Sequence, residues 1–443
     1  MSINANVNPG AGGISGQATN KSGFPGKAMS LKNAFWLLGA LFFLVGLAGW
    51  ADRLTNGHRD ANYGSIVTWG LWVAAYIYFI GLSAGSFLIS SLVYVFNVKR
   101  FERIGRLAVF TAIVTLLMAL LAIWADLGHM ERAWHVLVFP NFESPMAWMI
   151  WLYSTYFLLL VAEMWFLLRR DMVAAGAQAG GWKSKVYRGL TFGSKNVSEA
   201  STTRDRKIVR VLATIGVPVA IMFHGGVGTL FGVVAARPLW NTGLFPILFL
   251  LSALASGGAL LTMITAIFQD GLNRNRDIVI TLGKVILGLL LLDVLFQISE
   301  YLVAFRSGIP GHIEGLKLIM GGTYWWVFWI WQLGLGTLIP LLLLVLPTRK
   351  DARWVSLAGL LIALGFIGVR LNIVIPGLAE EEINGITQAI STPRMTTQYF
   401  PSPTEWLLTL GIVGLGLLLF GLGEMLLPRE KDPVRFTELA PEE

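Results

Sequence analysis

Near the end of an apolar stretch, the segment WADLGHMERAW at 124–134 brings Asp126, His129, Glu131 and Arg132 close together. Asp126 and His129 are three residues apart, so they share a helix face if the helix runs on that far. An imidazole beside a carboxylate titrates near neutral pH and can take or give a proton. The competing role is structural: Asp126 paired with Arg132 closes a helix end. His224, in MFHGGVGTLFG, is a second imidazole beside a glycine-containing helix end. Tyr76 and Tyr153 offer hydroxyls in two apolar stretches, where interfacial anchoring or packing is the simpler role.

A deeper set consists of Glu163, Lys284, Asp293, Gln297, Glu300 and Arg370. Asp293, Gln297 and Glu300, at spacings of four and three, occupy one face of a helix. Ionisable groups inside apolar helices are costly, and they mark either a proton path or ion pairs that fix helix packing. Lys284 paired with a carboxylate of another helix is the packing version.

The elements that must position these groups follow from composition. The chain has 443 residues, 55% hydrophobic and 14% charged. A soluble protein of this length carries far more charge. The apolar residues fall in blocks of about 20, the length of a helix that spans hydrocarbon. Ten blocks have approximate cores at 34–50, 66–96, 106–125, 146–168, 208–235, 243–268, 282–304, 325–347, 354–375 and 406–427. The expected fold class is therefore an all-α integral membrane protein of ten transmembrane helices. Residues 1–33, rich in Gly, Ser and Asn and without the apolar core of a signal peptide, read as a disordered cytoplasmic tail. Residues 428–443 read as a second cytoplasmic tail.

Charge placement sets the orientation. Of 34 Lys and Arg, 26 fall in the tails and alternate connections that include 97–106 and 169–210. Seven fall in the other connections: Arg53, Arg59, Arg132, Arg237, Arg306, Lys317 and Arg394. The asymmetry of basic residues places both termini in the cytoplasm. The net charge of +8 thus reflects topology and needs no nucleic-acid partner.

On this orientation all five histidines, His58, His129, His135, His224 and His312, lie in the outer half or the outer loops. A two-haem relay held by paired histidines needs ligands near both faces, so the distribution argues against haem. The absence of cysteine excludes thiolate-held iron–sulfur clusters and disulfides within the chain. No HExxH-like spacing supports a metal site. Quinone chemistry, with two electrons and two protons, fits the residues better. It needs an apolar slot open to lipid, partners for two carbonyl oxygens, and a group that exchanges protons with water.

YIYFIGLSAGSFLISSLVYVF, at 76–96, carries the small residues Gly81, Ser83, Ala84, Gly85 and Ser86 at its centre. Small residues let helices approach closely in lipid; they also leave a slot for a flat ligand, and either use fits Ser83 and Gly85. GLSAGSFL at 81–88 resembles ALASGGAL at 253–260, and Asp126 and Trp151 pair with Glu300 and Trp325 at similar offsets. The repeat predicts two four-helix bundles, helices 2–5 (about 66–235) and 6–9 (about 243–375), flanked by helices 1 and 10.

Taken together, GLSAGSFLISSL, DLGHMER followed by PNFESPMAW, RLNIVIPGL at 370–378 and YFPSPTEWLLTLG at 399–411 resemble the NrfD-like family. These are polysulfide-reductase-type membrane subunits, here in the ten-helix branch, and the likeness covers about 34–427. The resemblance implies a haem-free subunit of the bacterial inner membrane that exchanges electrons with menaquinone or ubiquinone. It implies a periplasmic ferredoxin-like iron–sulfur partner, with further catalytic or cytochrome subunits. It places the quinone near the outer face of the first bundle, at Asp126, His129 and His224 beside Ser83 and Gly85. Many relatives carry DLGRP; here His129 replaces the arginine and Met130 the proline.

The leading expectation is a quinone-reactive membrane anchor of a respiratory oxidoreductase, without a metal centre of its own. Its quinone contacts are Asp126, His129, His224, Ser83, Gly85, Tyr76, Tyr153 and Arg132. If Glu163, Lys284, Asp293, Glu300 and Arg370 link the site to the cytoplasm, the reaction also translocates protons. The alternatives are a secondary transporter built from a duplicated bundle and a purely structural anchor.

Overall fold

The computed structural model describes residues 31–426 apart from Ala179, Gln269, Asn384 and Ser391. The tails expected at 1–33 and 428–443 therefore lie outside the described residues, except that the first helix already begins at Leu31. Among the described residues ten helices are long and apolar enough to cross a membrane. They are α1 Leu31–Asn56, α2 Leu71–Tyr94, α3 Glu102–Asp126, α4 Pro145–Gln178 and α5 Glu199–Gly232. In the second half come α6 Phe245–Ile267, α7 Leu272–Arg306, α8 Val327–Val345, α9 Ala352–Leu378 and α10 Pro403–Leu426. Among the described residues there is no strand. Helices close every backbone hydrogen bond within one segment, which is what hydrocarbon demands. The molecule is an all-α integral membrane protein.

Burial separates centre from rim. Of the most apolar window of each helix, 83% is buried in α2 but only 17% in α1. α2 packs on α3, α5, α6 and α9, while α1 lies along α10. α3 to α5 surround α2 on one side, and α6 to α9 pack together on the other.

The small-residue patch is the crossing between these halves. A Cβ on Gly85 would stand 2.1 Å from the Ala253 carbonyl oxygen and 2.8 Å from Gly257 Cα. Gly257 meets Gly85 in the same way, at 2.6 Å from its Cα. The two similar sequence patches thus face each other across α2 and α6. Ser83 Oγ donates to the Ala112 carbonyl at 2.8 Å, joining α2 to α3. Close packing explains why this helix gives up large side chains at its centre.

Several ends differ from their apolar cores. α2 starts at Leu71 rather than near 66, because Gly70 sits under the Tyr399 ring and Leu71 N donates to Tyr399 Oη at 2.8 Å. α4 and α5 run beyond their apolar cores, to Gln178 and from Glu199. Those extensions are tied by Arg169, which donates to Asp205 and Ser201 at 2.5 and 2.6 Å. The first part of α8, Val327–Leu338, winds as a π-helix, a form that recurs at functional sites.

Candidate functional site

α3 ends at Asp126 because Leu127 turns to extended backbone. Arg53, buried near the end of α1, holds that terminus. Its Nε donates to the Ala125 carbonyl at 2.7 Å and its Nη2 to the Leu127 carbonyl at 2.5 Å. A cation is favourable against the carbonyls that a helix end leaves exposed, and here it also stands beside the Asp126 carboxylate.

Around this corner lie three polar atoms that are buried and complete no hydrogen bond of ordinary geometry: His58 Nε2, Tyr63 Oη and Asp126 Oδ1. Tyr63 faces Asp126, and His58 lies against the carbonyls of Ala125 and Asp126. The His58 ring stands 5.5 Å from Tyr63 and 5.9 Å from Trp72, while Tyr63 is 6.1 Å from Tyr399. Burial lowers the His58 pKa, and the neighbouring Arg53 lowers it further. Burial and the Asp126 charge hold the Tyr63 hydroxyl well above its usual range. At neutral pH His58 is thus a neutral imidazole and Tyr63 an intact O–H donor.

The floor of the corner is fixed by a capping box at the start of α10. Glu405 N donates to Ser402 Oγ at 3.3 Å and Ser402 N donates back to Glu405 Oε2 at 2.9 Å, with Pro403 in the first turn. Glu405 also accepts from Asn62 N at 3.1 Å and from the Tyr399 hydroxyl. Unlike Asp126, it is fully engaged. It braces the 57–70 connection that carries His58 and Tyr63.

The expected first-bundle residues do not all meet here. Because α3 stops at Asp126, His129 does not share a helix face with it. His129 is exposed and its Nδ1 lies 3.1 Å from Glu131 Oε1. Arg132 is also exposed and approaches Glu131 at 3.8 Å, so the cation beside Asp126 is Arg53 and not Arg132. Ser83 and Gly85 are taken up in packing. Tyr76 is buried in α2; Tyr153 Oη donates to the Leu116 carbonyl at 2.8 Å, and its ring meets Phe223 at 5.3 Å.

His224 belongs to a second group, between the two halves. It is completely buried and neither ring nitrogen has a hydrogen-bond partner. It feels the charge of Arg370 on α9. Arg370 Nη2 donates to Ser252 Oγ at 2.8 Å, and its guanidinium lies 4.6 Å from the centre of the Phe249 ring. Asp293 on α7 compensates this buried cation, with one carboxylate oxygen accepting from Gln297 Nε2 at 2.5 Å and the other unpartnered. Gln332, in the π-helical turn, donates to Gln297 Oε1 at 2.8 Å and accepts from Asn372 Nδ2 at 2.6 Å. A narrow cavity of about 60 Å³, lined by Asp293, Gln297, Tyr301, Arg370, Glu300 and His312, leads from this group. Glu300, half-buried, accepts from Thr242 Oγ1 at 3.2 Å. Two expected members stand apart. Glu163 is buried on α4 with one oxygen unpartnered, whereas Lys284 is exposed.

Among the described residues no three His, Asp or Glu side chains converge as a metal site. Sequence reasoning missed Arg53, His58, Tyr63, Tyr399, Glu405, Gln332 and Asn372 as site residues. Ser402-Pro403-Thr404-Glu405 was a readable capping signal in a motif already singled out. His58 and Tyr63 sit in an ordinary-looking polar connection.

Comparison with known proteins agrees with this architecture. Residues 60–380 match the family described as polysulphide reductase, NrfD. A selenate reductase subunit of Mesobacillus selenatarsenatis is 38% identical over 403 residues, covering 90% of this chain and 94% of that protein. The membrane subunit of a putative dimethyl sulfoxide reductase of Halobacterium salinarum is 30% identical, over 88% of this chain and 90% of its own length. The integral membrane subunit of an Hdr-like menaquinol oxidoreductase of Archaeoglobus fulgidus is 28% identical, over 81% and 84%. With ten membrane helices and a match across most of its length, the chain belongs to the NrfD family of polysulphide-reductase-type integral membrane proteins.

Proposed function

We propose that this chain is the quinone-reactive membrane subunit of a respiratory oxidoreductase complex in a bacterial inner membrane. The observation that carries the reading is the convergence of His58, Tyr63 and Asp126, whose Nε2, Oη and Oδ1 are buried and find only one another and two helix-end carbonyls without a bond of ordinary geometry, against aromatic walls and one buried arginine. Buried polar groups are normally held in well-formed hydrogen bonds, and these three are only loosely engaged. A flat carrier with two carbonyl or hydroxyl oxygens matches them, and a quinone, when bound, supplies the two-electron, two-proton chemistry. The names of the relatives, a menaquinol oxidoreductase subunit among them, support it.

The chain's own residues then divide the work. The Tyr63 O–H holds its proton and offers a hydrogen bond. His58, neutral and with Nε2 free, accepts a proton there. Arg53 keeps the Asp126 carboxylate in place beside them. Trp72 and Tyr399 wall the site from water. With 26 basic residues assigned to the cytoplasmic side, the site lies at the outer face and both termini lie inside. A periplasmic iron–sulfur subunit that docks over the 127–144 connection would receive or deliver the electrons. The quinone is menaquinone or ubiquinone.

The buried group of His224, Asp293 and Arg370 is proposed as the proton-handling element, with Glu300 toward the outer face and Glu163 toward the inner one. Its position beside the crossing of two similar halves also suits a secondary transporter, which would move a solute without any redox partner.

The test is turnover in the purified complex. Asp126→Asn and His58→Ala should each lower quinol-linked electron transfer by about 100-fold or more, the scale of a lost proton-transfer group, with the same set of subunits copurifying. Normal turnover in both variants would reject the site.

A further inference from the structure

At the opposite end of the bundle from Asp126, a short amphipathic helix, Gly181–Leu190, lies between α4 and α5. It is fixed in place by three hydrogen bonds. Tyr187 Oη donates to the Leu426 carbonyl at the end of α10 at 2.6 Å, Ser184 Oγ to the Gly176 carbonyl at 2.9 Å, and Trp165 Nε1 to the Leu190 carbonyl at 2.7 Å. Beneath it runs an apolar groove of about 230 Å³ between α3 and α10, floored by Phe110, Val114, Leu117 and Leu422. From Phe110 to Leu117 the helix rises about 10 Å. That is long enough for a stretch of acyl chain.

The helix presents two different faces. Trp182, Lys183, Val186, Tyr187 and Leu190 line the groove, while Lys185 and Arg188 lie on the other side and are exposed. Trp182 is 58% exposed, as an interfacial anchor is. Lys183 is the charged side chain of the groove. Its ammonium lies 5.9 Å from the Trp182 ring centre, and among the described residues it has no carboxylate partner. An unpaired cation at the mouth of an apolar groove, on the face of the membrane richest in basic residues, calls for an amphiphile with a negative head.

We propose that this groove is a binding site for one anionic glycerophospholipid of the inner leaflet, with an acyl chain against α3 and α10 and its phosphate at Lys183. The site depends on the ten-helix membrane fold and its orientation, not on the redox reading. It gives the long connection between α4 and α5 a lipid-dependent anchor. The other occupants that suit the groove, a quinone's isoprenoid tail or a neutral phospholipid, have no use for Lys183.

The experiment reconstitutes the full chain in bilayers of phosphatidylglycerol and phosphatidylethanolamine. Lipids retained after gentle detergent extraction are then counted by native mass spectrometry. Wild type should retain one phosphatidylglycerol with about fivefold preference over its bulk share, the effect expected of one lysine at an anionic head. Lys183→Gln should keep one bound lipid but lose the preference. Val186→Trp, at a half-exposed position on the groove face, should lose the lipid while its thermal unfolding in phosphatidylethanolamine alone stays unchanged. Retained lipid that mirrors the bulk mixture in wild type, or a preference that survives both substitutions, would overturn the proposal. So would a quinone as the species displaced by Val186→Trp. None of these results bears on electron transfer at His58 and Asp126, so the two readings fail separately.

Discussion

At Asp126 the spacing of the sequence offers one cation, Arg132, and the folded protein supplies another, Arg53, from seventy-odd positions away. A local motif names the acid but not its distant partners, because those depend on how α1 and α10 pack around the end of α3. The same holds for His58 and Tyr63, whose types carry chemistry but whose connection shows no periodicity to flag them. His129, by contrast, was conspicuous in sequence and is exposed. The pH dependence follows from His58. Its pKa is lowered by burial and Arg53, so the imidazole is neutral through the physiological range and protonates only below the ordinary value of about 6.5. Protonation removes the acceptor at Nε2, so quinol-linked turnover should be flat near pH 7 and fall on acidification, with an acid limb below 6.5. A pH–rate profile checks this, and Arg53→Gln should move that limb upward by removing the neighbouring positive charge. At the capping box, Ser402→Ala should cost about 1 kcal/mol in unfolding stability by removing the partner of Glu405 N.

At the scale of elements, the ten helices were legible because apolar length is a strong and local signal. Their ends were less so. α2 begins several residues later than its apolar run, since Tyr399 occupies the space that another turn would need. The polar extensions of α4 and α5 were hidden because an amphipathic or charged helix outside the bilayer resembles a loop in hydropathy. The small-residue patch allowed packing or a ligand slot, and the geometry assigns Gly85 to packing. Gly85→Leu should therefore disrupt the α2–α6 crossing, because its Cβ already meets backbone that cannot move aside. A loss of at least about 1–3 kcal/mol is expected, read as a lower thermal unfolding midpoint in detergent. Ser86→Ala, whose hydroxyl makes only a 3.4 Å contact with the Gly257 carbonyl, should leave it nearly unchanged.

For the whole molecule, the helices before and after the 233–244 connection meet where α2 crosses α6, with the buried Arg370 and Asp293 beside that seam. The proposed orientation rests on charge asymmetry, and the chain offers a direct check because it contains no cysteine. A single cysteine at Lys195 should react with a membrane-impermeant maleimide only in inside-out vesicles, and one at Glu131 only in intact spheroplasts. The proposed function places a quinone head group between His58, Tyr63 and Asp126. The most direct measurement is titration of a water-soluble quinone analogue into the purified chain in lipid nanodiscs, followed by tryptophan fluorescence with Trp72 in the site wall. Saturable quenching is expected, with a Kd that rises about tenfold in Tyr63→Phe and in His58→Ala, the scale of one lost hydrogen bond to a buried partner. Quenching with the same Kd in wild type and both variants would contradict that placement.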